Sequence, residues 1–393
     1  MNWPTVRLDE VAKIDRKGID PSAIQAGTKY LGLEHIASGG EILDAEKVIG
    51  GQLASSKFRF CESHVLYGKL RPYLAKIALP NFCGICSTDI LPIRPGPKLD
   101  RRYLAYFLRQ PQLVEMASAR STGVNLPRLS PKALSEFEIP LPSMSEQERI
   151  ASILERADGI RQKRTFLLRQ VNEFLESAYV HSVGHLNPSH GDWEPYPIET
   201  LAVERKGAIR SGPFGSALKH GEFVEDGIAV LGIDNAVKNK FVWAERRFIT
   251  PSKYQELRRY TVFPGDVIVT IMGTTGRSAV VPDDIPEAIT TKHLATITCN
   301  KELIHPEVLS FAIHSDPLII RQIKSFNKGA IMDGLNLGII RKLEINLPPM
   351  EEQLRFVEML QKARAIEAKS QTPDGSGEDL FQSLSQRAFR GEL

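Results

Sequence analysis

No run of about 18 apolar residues occurs in this sequence, so no segment of it reads as a membrane-spanning helix. Cysteine is scarce: Cys61, Cys83, Cys86 and Cys299 are the only four in 393 residues. That argues against a disulfide framework and fits a reducing, cytoplasmic setting. The opening residues, MNWPTVRLDEVAKIDRKG, lack the apolar core and small-residue cleavage site of a secretory signal. Charge of one sign is missing too, with 50 Lys+Arg against 47 Asp+Glu. A nucleic-acid-binding role would therefore depend on a local basic surface. Catalytic signatures are also wanting. There is no G-x-x-x-x-G-K-[ST] phosphate loop and no H-E-x-x-H. GTTGR at 273–277 has the glycines of a turn but no following Lys-Ser or Lys-Thr. The acids Asp283, Asp284 and Glu287 lack the trailing lysine of a nuclease site. Cys83 and Cys86 have metal-like spacing without a second ligand pair, so free thiols are expected and no metal.

What is present is the composition of a folded chain, 42% hydrophobic and 25% charged, in a length that calls for two or more domains. One stretch, 145–178, stands out. Apolar or small residues recur at Ile150, Ile153, Ala157, Ile160, Leu167, Val171, Phe174 and Ala178, with Arg164 the charged exception in the seam. These alternating steps of three and four predict a helix of roughly 50 Å that packs lengthwise against another helix. Ser145 and Glu148 have the spacing of a capping box.

Ahead of this helix, strand-like runs at 28–36, 64–70 and 88–95 are separated by Gly, Pro and Ser turns. Helices are predicted over 100–109 and 112–119. A loop follows at 120–128, then a short helix capped by Ser130 with Pro131 in its first turn. The second half replays the first. Trp193 to Ala202 matches Trp3 to Ala12 at an offset of 190, and Asp266 falls where His64 stands at an offset of 202. LEINLP at 343–348 matches FEIPLP at 137–142 at an offset of 206, and the helix after it keeps that register. Asn346-Leu347-Pro348-Pro349-Met350, which imitates the amine-holding loop of an amino-methyltransferase, is thereby a linker into a helix. In the second helix Phe356, Met359, Ala363 and Ile366 keep the same steps, TPDGSG at 372–377 interrupts, and an amphipathic segment resumes at Asp379. The fold expected is α+β: two globular α/β domains, 1–144 and 185–350, separated by two long antiparallel coiled-coil helices over 145–184 and 351–393.

Several of these segments resemble the specificity subunit of Type I restriction–modification systems. They are GKLRPYLAKIALP at 68–80 with CSTDILPIRP at 86–95, and SGPFGSALK at 211–219 with DGIAVLGIDN at 226–235. The doubled I-P-L-P-x-x-x-E-Q form, at 139–147 and, as I-N-L-P, at 345–353, and the closing RAFRGEL also match. His64 departs from the pattern, standing where Gly-Asp is commoner, as at Gly265-Asp266. The resemblance implies that each globular unit is a target-recognition domain reading one half of a bipartite site in double-stranded DNA. It implies that the helices set the half-site spacing and dock two methyltransferase subunits, and that motor–nuclease subunits join for restriction. It implies no catalytic site in this chain, with S-adenosylmethionine, ATP and magnesium held by the partners.

DNA contacts require donors to phosphates and to base edges. The loop at 120–128 concentrates them in Arg120, Ser121, Thr122, Asn125 and Arg128, and Lys69 and Arg71 stand near a strand end. In the second unit the candidates are Arg210, Ser211, Lys219, Thr274, Thr275, Arg277, Asn327, Lys328 and Asn336. The alternative from another class is an adaptor, two similar domains on a helical spacer that binds proteins rather than DNA.

Overall fold

Short apolar runs bounded by Gly and Pro can make only short strands, and this chain is built from them. The computed structural model describes residues 3–49, 53–243, 245–326, 334–370 and 377–393. Thr5–Arg7 (β1) leads into Leu8–Val11 (α1), Ala12–Ile14 (β2), Gly18–Ile19 (β3), Lys29–Leu31 (β4), Glu46–Lys47 (β5), Lys57–Phe60 (β6), Val65–Gly68 (β7), Ile77–Ala78 (β8), Gly84–Cys86 (β9) and Ile90–Pro95 (β10). Helices Arg101–Leu108 (α2), Pro111–Ala119 (α3) and Pro131–Ser135 (α4) precede Glu138–Pro140 (β11) and the long helix Met144–Ser182 (α5). The second half runs Pro195–Pro197 (β12), Ile209–Ser211 (β13), Ile228–Leu231 (β14), Phe248–Ile249 (β15), Pro251–Leu257 (α6), Val267–Thr270 (β16), Ser278–Val280 (β17), Ala288–Thr290 (β18) and Leu294–Ile297 (β19). Pro306–Ser315 (α7), Pro317–Phe326 (α8), Leu337–Lys342 (α9), Glu344–Asn346 (β20), Met350–Ser370 (α10) and Gly377–Arg390 (α11) complete it.

The chain divides into two compact units, Met1–Phe166 with Gln371–Leu393, and Leu167–Ser370. Each has the same plan. A four-stranded antiparallel sheet runs β2-β10-β7-β8 in the first unit and β13-β19-β16-β17 in the second. A second sheet holds a parallel pair, β4 with β9 and β14 with β18, widened to five strands in the first unit by β3, β5 and β6. A small ladder ties the start of each unit to the strand that leads out of it, Val6 opposite Ile139 and Tyr196 opposite Ile345. The fold is thus α+β, and the repeat extends to single atoms. Gln147 is wholly buried; its amide donates to Lys98 O and Pro142 O, and its carbonyl accepts from the Asp100 N–H. Gln353, 206 residues on, is buried alike; it donates to Leu303 O and Pro348 O and accepts from the His305 N–H. Each glutamine bolts the first turn of a long helix to the start of another, α2 or α7.

The long helix departs from expectation in two respects. Its cap is Ser143 rather than Ser145, because the helix begins at Met144 and Ser143 Oγ accepts from the Glu146 N–H at 3.3 Å. Its buried line is not the seven-residue seam. In the first unit Gln147, Ile150, Ala151, Leu154 and Asp158 are buried; in the second Val171, Leu175 and Tyr179 are. Steps of four overshoot a 3.6-residue turn, so the buried line winds around the helix to follow each unit's own core. Ile153 and Ala157 are left half-buried, while Ile160, Leu167 and Phe174 are 63%, 42% and 55% exposed. In α10 Phe356 and Ala363 are buried, Met359 packs partly against the core, and Ile366 is 47% exposed.

Each unit closes over a helix pair. In the second, Tyr179 stacks on Phe311 at 5.1 Å and meets Phe356 edge-on at 5.4 Å. Asn172 and Leu175 line one cavity with Leu360 and Arg364, so this part of α5 and α10 run in opposite directions. In the first, Phe389 of α11 packs on Tyr103 at 5.0 Å and Phe107 at 5.5 Å, while Arg161 of α5 covers the Phe381 ring. Most of the TPDGSG interruption lies outside the described residues; Gly377 already belongs to α11.

The two units invert one buried polar pair. In the second, Arg210 Nη2 meets Asp266 Oδ2 at 2.6 Å inside the sheet, and Asp266 also accepts from the Phe263 N–H at 2.9 Å. In the first, His64 takes the place of Asp266. Its Nδ1 accepts from the Cys61 N–H at 3.0 Å and its Nε2 lies 3.3 Å from Asp15 Oδ2, which Arg94 also reaches at 2.9 Å. The carboxylate and its nitrogen partner have exchanged strands. His64→Asp alone therefore sets a carboxylate against Asp15 and is expected to cost about 3 kcal/mol. Adding Asp15→Arg rebuilds the pair of the other unit and should recover most of the loss in chemical denaturation; a double variant no better than the single would contradict the exchange.

Candidate nucleic-acid interface

In the first unit, backbone pairing brings two distant segments to one edge. β7 ends at Gly68, and the next residues are zipped to the loop at 122–128: the Leu129 N–H donates to Lys69 O at 2.9 Å and the Arg71 N–H to Pro127 O at 2.8 Å. The loop closes on itself through paired Thr122 and Arg128, 3.0 and 2.9 Å, with Gly123 at φ +104°. Lys69, Arg71, Thr122, Asn125 and Arg128 thus share one edge, with Val124 fully exposed at its tip. Asp89 partly occupies two of these cations. It receives Arg128 through two hydrogen bonds, 2.9 and 3.2 Å, which hold that guanidinium above its ordinary value, and Lys69 lies 3.8 Å away. Arg120 ends α3 exposed, its guanidinium over the Phe137 ring at 5.5 Å, and Ser121 Oγ donates back to Ala117 O.

Arg71 is the unusual member. It is exposed and sits at φ +51°, a left-handed conformation that L side chains adopt at a cost of about 1 kcal/mol or more. The corresponding position of the second unit, 202 residues on, is Gly273 at φ +76°. One unit uses glycine where the backbone asks for it, and the other keeps an arginine. Tyr73, which sequence reading passed over, is 53% exposed two residues later. An exposed aromatic beside Arg-Pro was its signal, since aromatic faces stack on bases.

The second unit repeats the edge with other side chains. The Leu335 N–H donates to Ile271 O, as Leu129 does to Lys69. The loop after β16 carries Thr274, exposed, Thr275, half-buried, and Arg277, exposed; the Arg277 N–H donates to Thr270 Oγ1 at 3.0 Å. Lys219 is exposed on a separate turn, its N–H donating to Glu222. Asn327 and Lys328 lie outside the described residues. Two expectations are corrected. Arg210 and Ser211 are each 8% exposed on β13, and Arg210 is spent on Asp266, Thr298 Oγ1 and Thr261 O. Burial pushes the Arg210 pKa down while Asp266 draws it back up, as in a structural pair rather than a surface contact. Asn336 is exposed, but its side chain caps α9 by accepting from the Ile339 N–H at 2.9 Å, as Ser130 caps α4 at 3.0 Å.

Among the described residues no helix is long and apolar enough to cross a membrane, and no cluster of three His, Cys, Asp or Glu side chains could hold a metal ion. The family model for the Type I restriction modification DNA specificity domain matches residues 1–168 and 229–374. The chain belongs to this family. The specificity subunit of the EcoDI enzyme from Escherichia coli is 31% identical over 181 residues, 45% of this chain and 40% of that protein. The MjaVIII specificity subunit from Methanocaldococcus jannaschii is 23% identical over 294 residues, 70% of this chain and 67% of that one. The EcoBI specificity subunit from Escherichia coli is 24% identical over 319 residues, 75% of this chain and 66% of that one. The chain thus spans about two fifths to two thirds of these relatives. In fold it is similar to the Type I S subunit from M. genitalium, with a TM-score of 0.62 at 15% identity over 100% of this chain and 96% of that one. It is also similar to a chain from a study of complex assembly in the Type I system, with a TM-score of 0.52 at 19% identity over 100% and 98%. The adaptor alternative finds no support in these matches.

For this specificity-domain protein, the two arginines should separate cleanly. Arg210→Ala leaves Asp266 buried without its cation and should destabilise the second unit by about 3 kcal/mol. Arg71→Gly should leave thermal stability unchanged or raised, because glycine suits the left-handed backbone. Calorimetry on both variants checks this; equal destabilisation would contradict the assigned roles.

Proposed function

We propose that this chain is the DNA sequence-specificity subunit of a Type I restriction–modification complex. Each unit reads one half of a bipartite target in double-stranded DNA. The recognition domains are taken as 1–144 and 185–350, with spacer helices over 145–184 and 351–393. The helices set the distance between half-sites and dock two methyltransferase subunits, and motor–nuclease subunits join for restriction. S-adenosylmethionine, ATP and magnesium are the business of those partners.

The observation that carries this reading is the doubled edge. Each unit brings a strand end and the segment before a capped short helix together at the same position of the same sheet, and clothes it differently: Lys69, Arg71, Asn125 and Arg128 in one, Thr274, Thr275 and Arg277 in the other. A constant frame with divergent donors suits two readers of two different words. Exposed Ile160, Leu167 and Phe174, spaced by seven on α5, suit helices of a partner subunit.

The test uses this chain co-expressed with its methyltransferase. Binding to duplex DNA should weaken linearly in log–log terms as salt rises, by a slope of roughly 0.9 per phosphate neutralised. Arg71→Gly should weaken it a further ~5–100-fold. Exchanging residues 13–125 for those of another recognition domain should change one half-site and leave the other intact. Affinity indifferent to salt and sequence would defeat the proposal.

A further inference from the structure

The turn between β6 and β7 gathers groups that DNA reading does not use. β6 and β9 are antiparallel, with Phe58 opposite Cys86, Arg59 opposite Ile85 and Phe60 opposite Gly84. The ladder ends there; carried one step further, its register places Cys61 across from Cys83, each directly beyond the end of its strand. Opposed residues in such a pair have Cα atoms about 4.5–5.5 Å apart and side chains on one face, within the span of a disulfide. The alternation is visible in the neighbours: the Phe60 and Phe82 rings meet at 5.6 Å, so residues 60 and 82 share one face and the two cysteines the other. Arg101 fastens the two segments together, donating to Glu62 O from one nitrogen and to Pro80 O at 3.0 Å from the other.

The thiols are not equivalent. Cys61 Sγ lies 3.1 Å from Ser63 Oγ and 3.2 Å from His64 Nδ1. The Ser63 hydroxyl holds the Cys61 thiol below its ordinary value against some burial, with Arg94 assisting and Asp15 opposing; Arg101 and Glu62 are the other charges close by. His64 Nδ1 also accepts from the Cys61 N–H. Cys86 and Cys299 are buried, which pushes each up to about 12 and keeps them protonated. Cys83 is exposed and Cys61 half-buried, and both are free.

We propose that Cys61 and Cys83 form a reversible disulfide, with Cys61 the attacking thiolate, Cys83 the resolving thiol, and low-molecular-weight disulfides or hydroperoxides the oxidants. With a small disulfide, the Cys61 thiolate bonds to one sulfur and expels the other half as a thiolate. Deprotonated Cys83 then attacks the Cys61 sulfur and expels the second thiolate, so the two electrons of the protein pair reduce the oxidant to two thiols. With a hydroperoxide, Cys61 takes the outer oxygen to become a sulfenic acid and releases an alcohol or water; Cys83 attacks that sulfur and the oxygen leaves as water. The bond closes a covalent ring around β7 and β8, the hairpin that leads to Lys69 and Arg71.

The test treats the folded full-length chain with glutathione disulfide at neutral pH, blocks remaining thiols with iodoacetamide under denaturing conditions, and maps the peptides by mass spectrometry. The expected result is a Cys61–Cys83 crosslink lost on adding dithiothreitol, with Cys86 and Cys299 recovered alkylated. Cys83→Ser should instead accumulate one glutathione on Cys61, Cys61→Ser should leave Cys83 unmodified at the same dose, and Ser63→Ala should slow crosslinking several-fold. Thermal unfolding confirms that the variants are folded. Cys61 left unmodified in the native chain, or Cys83 oxidised as readily in Cys61→Ser, overturns the proposal.

Discussion

Two buried glutamines carry the connection between the sheets of each unit and its long helix. Gln147 and Gln353 each fill their amide with hydrogen bonds to backbone groups of two other segments, and neither is exposed to water. A buried polar side chain is tolerated only when so satisfied, and the backbone groups it serves would otherwise be orphaned at about 1–3 kcal/mol each. The consequence is directional. The first turn of α5 cannot swivel against α2, nor α10 against α7, without breaking the two bonds that cross between them together. A proline-rich exit strand followed by Glu-Gln is therefore a joint, repeated where each unit passes into helix.

Around this joint the units are alike in frame and different in dress. The same sheet position holds Asp15 with His64 in one and Arg210 with Asp266 in the other. The same left-handed turn holds Arg71 in one and Gly273 in the other. The first substitution pair keeps a carboxylate against a nitrogen partner with the strands exchanged, so it concerns the fold. The second keeps a strained arginine where glycine would serve, so it concerns what lies outside the fold.

The frame was legible in the sequence because it is periodic and doubled. The offset of 206 through LEINLP and the following helix, and the cap at Ser130, are local chemistry. Asn336 repeats that cap at the same offset, although its residue type read as a DNA donor. The edge at Lys69, Arg71 and the loop at 120–128 was found as a set of donors, though the zipper that joins them is long-range. Two readings failed for physical reasons. Arg210 and Ser211 looked like surface donors, but burial is decided by what packs across the sheet, and the partner Asp266 lies 56 residues away. The seam on α5 looked straight because Ile153, Ile160, Leu167 and Phe174 fall every seven residues. The cores it meets pull its buried line around the helix, and part of that stripe remains outside. Asn327 and Lys328 rest on composition alone.

The most direct measurement is a single-base map of methylation on DNA modified by this chain together with the methyltransferase proposed as its partner. Two units of one frame with different edges, each fixed to its helix, should yield two short, different words separated by a constant number of unread base pairs at every modified site. A single uninterrupted word, or a gap that varies from site to site, would contradict the account.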